Sequence, residues 1–274
     1  MTEGLLSLRF ARDGQGRTRL VARRQRYPLT TTVVLPMDTG PGALIYVQNA
    51  AGSVFGGDRL DVDVCLEAGA ALCLSTPSAT RLQGDALSMQ TTRVSVGEGA
   101  FFESVPDMII PHPDAVHRQQ TYIDLAEGAS AIVVESLAPG RTARGERHAY
   151  QSIDLRLQAS FRGSPVLRDA SGFRPREADP ALEGGLGGEG YVGSLFALTG
   201  LARDGQAEDL AARIGAALAD VPGVYGGASA LASGHGAVAR FLASDAPSLR
   251  QATHAAWDAA RRGMRGLPAP KLRK

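Results

Sequence analysis

The sequence predicts a mainly β protein: a β-helix-like solenoid body of stacked strands with about two α-helices in its C-terminal part. Three observations predict it. A short phrase occurs three times, VCLEAGA at 64–70, VSVGEGA at 94–100 and IDLAEGA at 123–129. Its glycines, Gly69, Gly99 and Gly128, lie 30 and 29 residues apart, and each phrase leads to an apolar run and a proline, Pro77, Pro106 or Pro139. A repeat near 30 residues marks units that bury their apolar faces by stacking. The 33 glycines and 15 prolines suit a turn-rich β chain, and a 3.6-residue period appears only late in the sequence.

The elements follow in order. Residues 5–10 and 18–22 read as strands around a turn at Asp13–Gly16, and 29–35 and 43–48 as a pair around Pro36, Gly40 and Pro41. The repeats occupy 53–140. In DVDVCL, Val62, Val64 and Leu66 alternate with Asp61, Asp63 and Cys65, the period of a half-buried strand. Residues 151–168 read as a hairpin turning near Gly163, because Ile153, Leu155 and Leu157 alternate with polar residues. Residues 170–190 are Gly, Pro and charge, which predicts a long loop. Ala207, Leu210, Ala211, Ile214 and Leu218 predict a helix stopped by Pro222. Residues 227–243 read as two strands joined at Ser233–Gly234. A last helix starts near Pro247, a favoured first-turn position, and carries Leu249, Ala252, Ala256, Trp257 and Ala260. Arg261, Arg262 and Arg265 fall at its C-terminal end, where the helix dipole favours cations. The whole chain, 1–274, reads as one domain, with a β-rich repeat body over 1–170 and a mixed β/α part over 190–274 packed on it.

Composition excludes several classes. Basic and acidic residues number 29 and 28, a net charge of +1, which argues against charge-driven binding to nucleic acid or membranes. Only 5% aromatic residues disfavours stacking on bases or sugars. The first residues lack a signal pattern and no apolar run reaches spanning length, so a cytoplasmic location is expected. Cys65 and Cys73 sit in successive strands and read as two reduced, half-buried thiols. GLGGEG at 185–190 fits a dinucleotide fingerprint in letters, but lacks the strand before it and the helix after it. The five histidines do not fall in metal-ligand spacing, and His112, Asp114 and His117 read as a solvated turn.

Four segments carry candidate chemistry. GSVFGGDRL, 52–60, places Asp58 at a sharp glycine bend, where it also suits capping its own turn. STPSATR, 75–81, holds Thr76 and ends in Arg81. FESVPD, 102–107, brackets Pro106 with Glu103 and Asp107. ESLAPGRTARGE, 135–146, holds Glu135, Arg141, Arg144 and Glu146. The last three follow their Gly-Ala turns by similar distances, so stacking is expected to gather Ser75 and Thr76, Glu103 and Glu135. A buried carboxylate needs a partner. Glu103 and Glu135 are therefore expected to meet Arg81 or Arg141, water, or a passing cation.

Taken in order, YPL at 27–29, GGDRL at 56–60, TPSATR at 76–81, E-x-V-PD at 103–107 and GRTARGE at 140–146 resemble the UreD (UreH) family of urease accessory proteins. The tail AAWDAARRGMRGLPAPKLR, 255–273, resembles the family's closing helix. The departures are QNAAGSVF at 48–55, Ser104 where many members have an aromatic, and Asp107 and Met108 where many have a second Glu. The resemblance implies a non-enzymatic scaffold that binds apo-urease and recruits a UreF-type partner and, through it, a UreG-type GTPase. It also implies an internal passage for Ni²⁺, with Asp58, Thr76, Arg81, Glu103, Asp107, Glu135, Arg141 and Glu146 as its lining or supporting network. No tightly bound cofactor is expected; Ni²⁺ passes transiently. Two other classes stand as alternatives, the first disfavoured by the few aromatic residues. One is a β-helical carbohydrate-active enzyme using Glu103 and Glu135 as paired acids, and the other is an interaction module of another pathway.

Overall fold

The computed structural model describes residues 1–182 and 185–272. The chain opens with an antiparallel pair, β1 (Glu3–Arg12) and β2 (Thr18–Arg26), whose turn is capped by the Asp13 carboxylate accepting from the Gln15 and Arg17 amides. The predicted strand 29–35 is broken into β3 (Leu29–Thr31) and β4 (Leu35–Pro36), both pairing with β5 (Ala43–Asn49). After β6 (Val54–Phe55) come three rungs. The first is β7 (Arg59–Leu66), β8 (Ala71–Ser75) and β9 (Thr80–Gln83). The second is β10 (Leu87–Val96), β11 (Phe101–Val105) and β12 (Ile109–Pro111), and the third is β13 (Val116–Leu125) and β14 (Ser130–Leu137). A single 3₁₀ turn, Thr142–Arg144, leads to the hairpin β15 (Ser152–Phe161) and β16 (Ser164–Phe173). The hairpin therefore runs into the span predicted as loop. The predicted loop is shorter, and its residues 183 and 184 lie outside the described residues. The chain ends with β17 (Tyr191–Thr199), α1 (Gln206–Ala219), β18 (Val224–Ala230), β19 (Gly236–Ala243) and α2 (Ala246–Arg265).

The repeat spacing is also the strand register. β7 pairs with β10 in parallel, Val64 opposite Val94, and β10 with β13, Val94 opposite Ile123: offsets of 30 and 29. The second half of each rung keeps the same offsets, Leu72 opposite Phe102 and Phe102 opposite Ala131. Gly69, Gly99 and Gly128 occupy equivalent turns with φ of +68°, +61° and +66°. They are tied in series: the Gly69 amide donates to the Glu98 carbonyl, and the Gly99 amide to the Glu127 carbonyl. L-residues other than glycine pay for that left-handed backbone.

The rungs form two open sheets. One runs β16-β15-β13-β10-β7-β1-β2; the other runs β18-β19-β17-β14-β11-β8-β5-β3. Their centres are parallel and their ends antiparallel, and neither closes on itself. Since β14 pairs directly with β17, one continuous sheet spans both the repeat body and the C-terminal part. The result is three layers. Leu8, Val64, Val94 and Ile123 meet Ile45, Leu72, Phe102 and Val133 between the sheets. Phe101, Ile132 and Val134, on the other face of the second sheet, meet Ile214, Leu249 and Trp257 of the helices.

Several local expectations change. Cys65 is exposed on β7 and Cys73 is buried in β8, so they lie in different sheets rather than as a half-buried pair. His117 is not in a solvated turn. It lies inside β13, only 2% exposed, because β13 begins before it and its alternation with Gln119, Thr121 and Ile123 points it inward. Helix α2 is capped by Asp245 accepting from the Ser248 amide at 2.8 Å and ends at Gly266 in the left-handed region. Arg262 and Arg265 occupy its last turn, but Arg261 is turned inward and 3% exposed. No helix among the described residues is long and apolar enough to cross a membrane.

The stacked turns give a direct test. Gly99→Ala adds a Cβ that meets no neighbour, so only the backbone conformation is taxed, and stability should fall by about 1–2 kcal/mol. An unchanged urea midpoint would show that the positive φ at this turn costs nothing.

Candidate functional site

A cavity of about 120 Å³ lies between the sheets at the C-terminal ends of β8, β11 and β14. It has room for several waters. Its walls are apolar where Leu74, Phe102 and Val133 face it, and polar at Thr76, Gln90, Ser104, Asp107, Gln119 and Glu135. The Asp107 amide donates to Thr76 Oγ1 at 2.9 Å, and Arg250 of α2 approaches the Asp107 carboxylate at 3.4 Å. Ser75 Oγ donates to the Val105 carbonyl at 2.7 Å. Glu135 is 6% exposed, and Gln119 Nε2 donates to its Oε1 at 3.3 Å. Burial pushes the Glu135 carboxyl up to about 7, against the pull of the Gln119 hydrogen bond.

Glu103 is not in this cavity. Counted from the turn glycines, Ser75, Glu103 and Glu135 lie six, four and seven residues on, so they are not equivalent. An odd offset in a strand reverses the face. Glu103 pairs in register with Ile132, three residues before Glu135, so the two carboxylates leave the sheet on opposite sides. Glu103 enters the helix layer, 1% exposed. It accepts from Trp257 Nε1 at 2.7 Å and from Arg261 Nε at 3.1 Å. Arg261 Nη1 also donates to Thr39 Oγ1 at 2.6 Å and to the Pro268 carbonyl. Burial pushes the Glu103 carboxyl up, while the charge of Arg261 and the Trp257 N–H pull it down. The partners expected for both glutamates, Arg81 or Arg141, are replaced by Arg261 for one and Gln119 for the other. Glycosidase acids must flank one bond about 5–10 Å apart. Two carboxylates on opposite faces of a sheet cannot do so.

The remaining candidates stand elsewhere. The Asp58 carboxylate accepts from the Thr2 amide and from the Phe55 amide, both at 2.9 Å, which closes its own bend onto the N-terminus. Arg81 is exposed on β9. Arg141 and Glu146 form a two-pronged pair, Nε to Oε2 at 2.5 Å and Nη2 to Oε1 at 2.7 Å, which holds the Glu146 carboxyl below its ordinary range. Gly140 makes that loop possible: a Cβ there would fall 2.3 Å from the Glu146 carbonyl oxygen. Of the eight candidates, then, Thr76, Asp107 and Glu135 share the cavity. Ser104 and Asp107, two of the departures, also line it, whereas Met108 is buried on the helix side. Among the described residues no three His, Cys, Asp or Glu side chains gather as a metal site.

Sequence reasoning missed Arg261 and the pair Ser88–His117. Arg261 lies four residues after Trp257, on the buried face of α2, a position that already distinguishes it from Arg262. Ser88 and His117 are both 2% exposed, with Ser88 Oγ 2.9 Å from His117 Nδ1. Burial pushes the His117 ring down to about 4, which keeps it neutral.

Fold and site define a mainly β protein: two parallel-centred sheets around a small cavity with polar groups in its wall, backed by a helix pair. A family profile described as "UreD urease accessory protein" matches residues 2–274. A urease accessory protein UreD of Haloarcula marismortui is 34% identical over 275 residues, covering 99% of this chain and 90% of that protein. One from Mycolicibacterium gilvum is 36% identical over 94% of each chain, and a UreD 2 of Streptomyces griseus 34% identical over 99% and 93%. The chain belongs to the UreD family of urease accessory proteins. It is a factor of urease maturation rather than an enzyme.

Two measurements check this geometry. Glu103→Gln leaves Arg261 buried and without its counter-charge, so stability should fall by about 3–5 kcal/mol. The double change Glu103→Leu with Arg261→Met should recover most of that loss. A single variant melting like the parent would remove the ion pair from the account. The second concerns pH. Glu135 is raised, so its contribution is lost as pH rises from 4.5 to about 7; His117 is lowered, so its contribution is lost as pH falls from 6.5 to about 4. The two slopes oppose each other across pH 4.5–6.5. Glu135→Gln should therefore unmask a stability that climbs by ~3 kcal/mol between pH 4 and 6.5. Parallel pH profiles for variant and parent would refute the assignment.

Proposed function

We propose that this chain is a cytoplasmic scaffold that binds apo-urease and a UreF-type protein, and through it a UreG-type GTPase. In this reading it carries Ni²⁺, as cargo, through the cavity between its sheets. The rung body, read as β-helix-like, supplies the rigid wall. The observation that supports the reading most is Glu135: a buried carboxylate, hydrogen-bonded to Gln119, in a partly apolar cavity whose other polar groups are hydroxyls, amides and the Asp107 carboxyl. Clustered thiolates and imidazoles hold Ni²⁺ tightly, whereas oxygen donors and water exchange readily. A conduit must release what it admits, and this lining suits release. Asp107 and Thr76 stand at the same cavity and extend its oxygen donors toward the α2 side, where Arg250 approaches. Asp58, Glu103, Arg141 and Glu146 act in this reading as supports. Asp58 closes the bend at the N-terminus, Glu103 anchors the helix layer, and Arg141 with Glu146 shapes the loop after β14.

The test is Glu135→Gln in a urease-maturation assay with all accessory proteins present. The amide keeps the volume and still accepts from Gln119, so complex recovery should equal the parent's. Urease activation should drop by at least tenfold if the carboxylate carries the ion. Full activation with full recovery would reject the passage and leave a scaffold alone.

A further inference from the structure

Each sheet has two edges, and three of the four are protected against pairing with another chain. β2 carries Arg19, Arg23, Arg24 and Arg26, and β3 is only three residues long. β16 holds Pro165, Arg168 and Asp169 and pairs with β15 through a register shift. Charge, proline, irregularity and short length are the devices that blunt an edge. β18, the fourth edge, has none of them. Its seven residues, VYGGASA, are uncharged and pair with β19 without a shift. Among the described residues no element but β19 hydrogen-bonds to its backbone, so alternate N–H and C=O groups point outward unpaired.

The edge is self-complementary. Val224 and Ala228 face the helices, so Tyr225, Gly227 and Ser229 share the other face. About a two-fold axis at Gly227, an antiparallel copy sets Gly227 opposite Gly227 and Tyr225 opposite Ser229. Tyr225, 77% exposed in the single chain, then lies diagonal to the second copy's Gly227 and covers the strip that the glycine leaves bare. Self-pairing of β2 would instead set arginines beside arginines.

Helix α1 fits the same axis. It packs on both β18 and β19. α2 lies against its Leu210 and Arg213 flank, because a Cβ at Gly263 would stand 2.9 Å from Leu210 Cδ1 and 3.7 Å from Arg213 Cδ. The opposite flank is Ala212, Gly215 and Ala219, with both alanines exposed. Gly215 stands beside the middle of β18: a Cβ there would lie 3.9 Å from the Ala228 amide nitrogen. A helix over the β18–β19 pair sits half a strand spacing inside the edge. Its two-fold mate therefore falls about 10 Å away, the packing distance of two helices.

We propose that β18 and the Ala212–Ala219 flank of α1 form a two-fold interface with a second copy of this chain. β18 pairs antiparallel with itself and joins the two second sheets into one.

The test uses the full chain. Sedimentation equilibrium should give twice the chain mass, and hydrogen exchange should show the β18 amides more protected as concentration rises. A Cβ at Gly227 meets no neighbour, so Gly227→Lys and Gly227→Glu should fold like the parent. Each sets like charges opposite one another and should lose the dimer. Mixing the two variants in equal amounts should restore it as a heterodimer, which requires position 227 to meet itself. A chain that stays monomeric up to its solubility limit would overturn the interface. So would a Gly227→Lys protein that stays dimeric, since the contact then lies elsewhere. β18 amides protected only after another protein is added would assign the edge to that protein and overturn self-pairing. The concentration dependence of exchange in the parent decides even if the variants fail to fold.

Discussion

Parallel pairing at a fixed offset is the constraint on which the rest of the structure depends. Once Val64 lies opposite Val94 and Ile123, every other side chain of the rungs has its face assigned. A slip of one residue would turn Leu72, Phe102 and Ala131 from the inter-sheet core toward the helices. The stacked glycine turns enforce the offset, because the Gly69 and Gly99 amides donate to the next turn's carbonyls. The cavity is a by-product of the same rule. It forms where the polar pairs of β10 and β13 face the ends of β11 and β14 instead of more Val and Leu.

The helix layer is fastened to this body through a buried ion pair. Glu103 and Arg261 are 158 residues apart in sequence and both nearly inaccessible. Trp257, Thr39 and the Pro268 carbonyl complete the shell, so strand, helix, an early loop and the tail all meet there. A buried ion pair adds little net stability over apolar packing. What it adds is position: Trp257 and Arg261 fix how α2 lies across the sheet.

Much of this was legible in the sequence, and the failures have physical reasons. Repeat spacing predicts register because parallel neighbours one rung apart must match it. The hairpin at Gly163 is legible because Arg162 and Gly163 both take positive φ, the signature of a tight turn. Thr76, Asp107 and Glu135 line one cavity, and grouping them with Glu103 overlooks that four and seven residues from a turn differ in parity. His117 was assigned to a loop although 117, 119, 121, 123 and 125 alternate inward without a break. Arg261 was read as a dipole-compensating cation, since nothing local announces a partner 158 residues away. The ion pair of Arg141 with Glu146 is within reach, its partners being five positions apart.

The continuous second sheet has a kinetic consequence. The cavity is bounded by strands whose backbone hydrogen bonds run unbroken from β5 to β19. Parting the sheets would expose the whole apolar interior, so no hinge or lid motion opens this space. Motion at its walls is therefore side-chain rotation, which is fast on the scale of domain movements. The interior is thus a rigid frame with movable bristles.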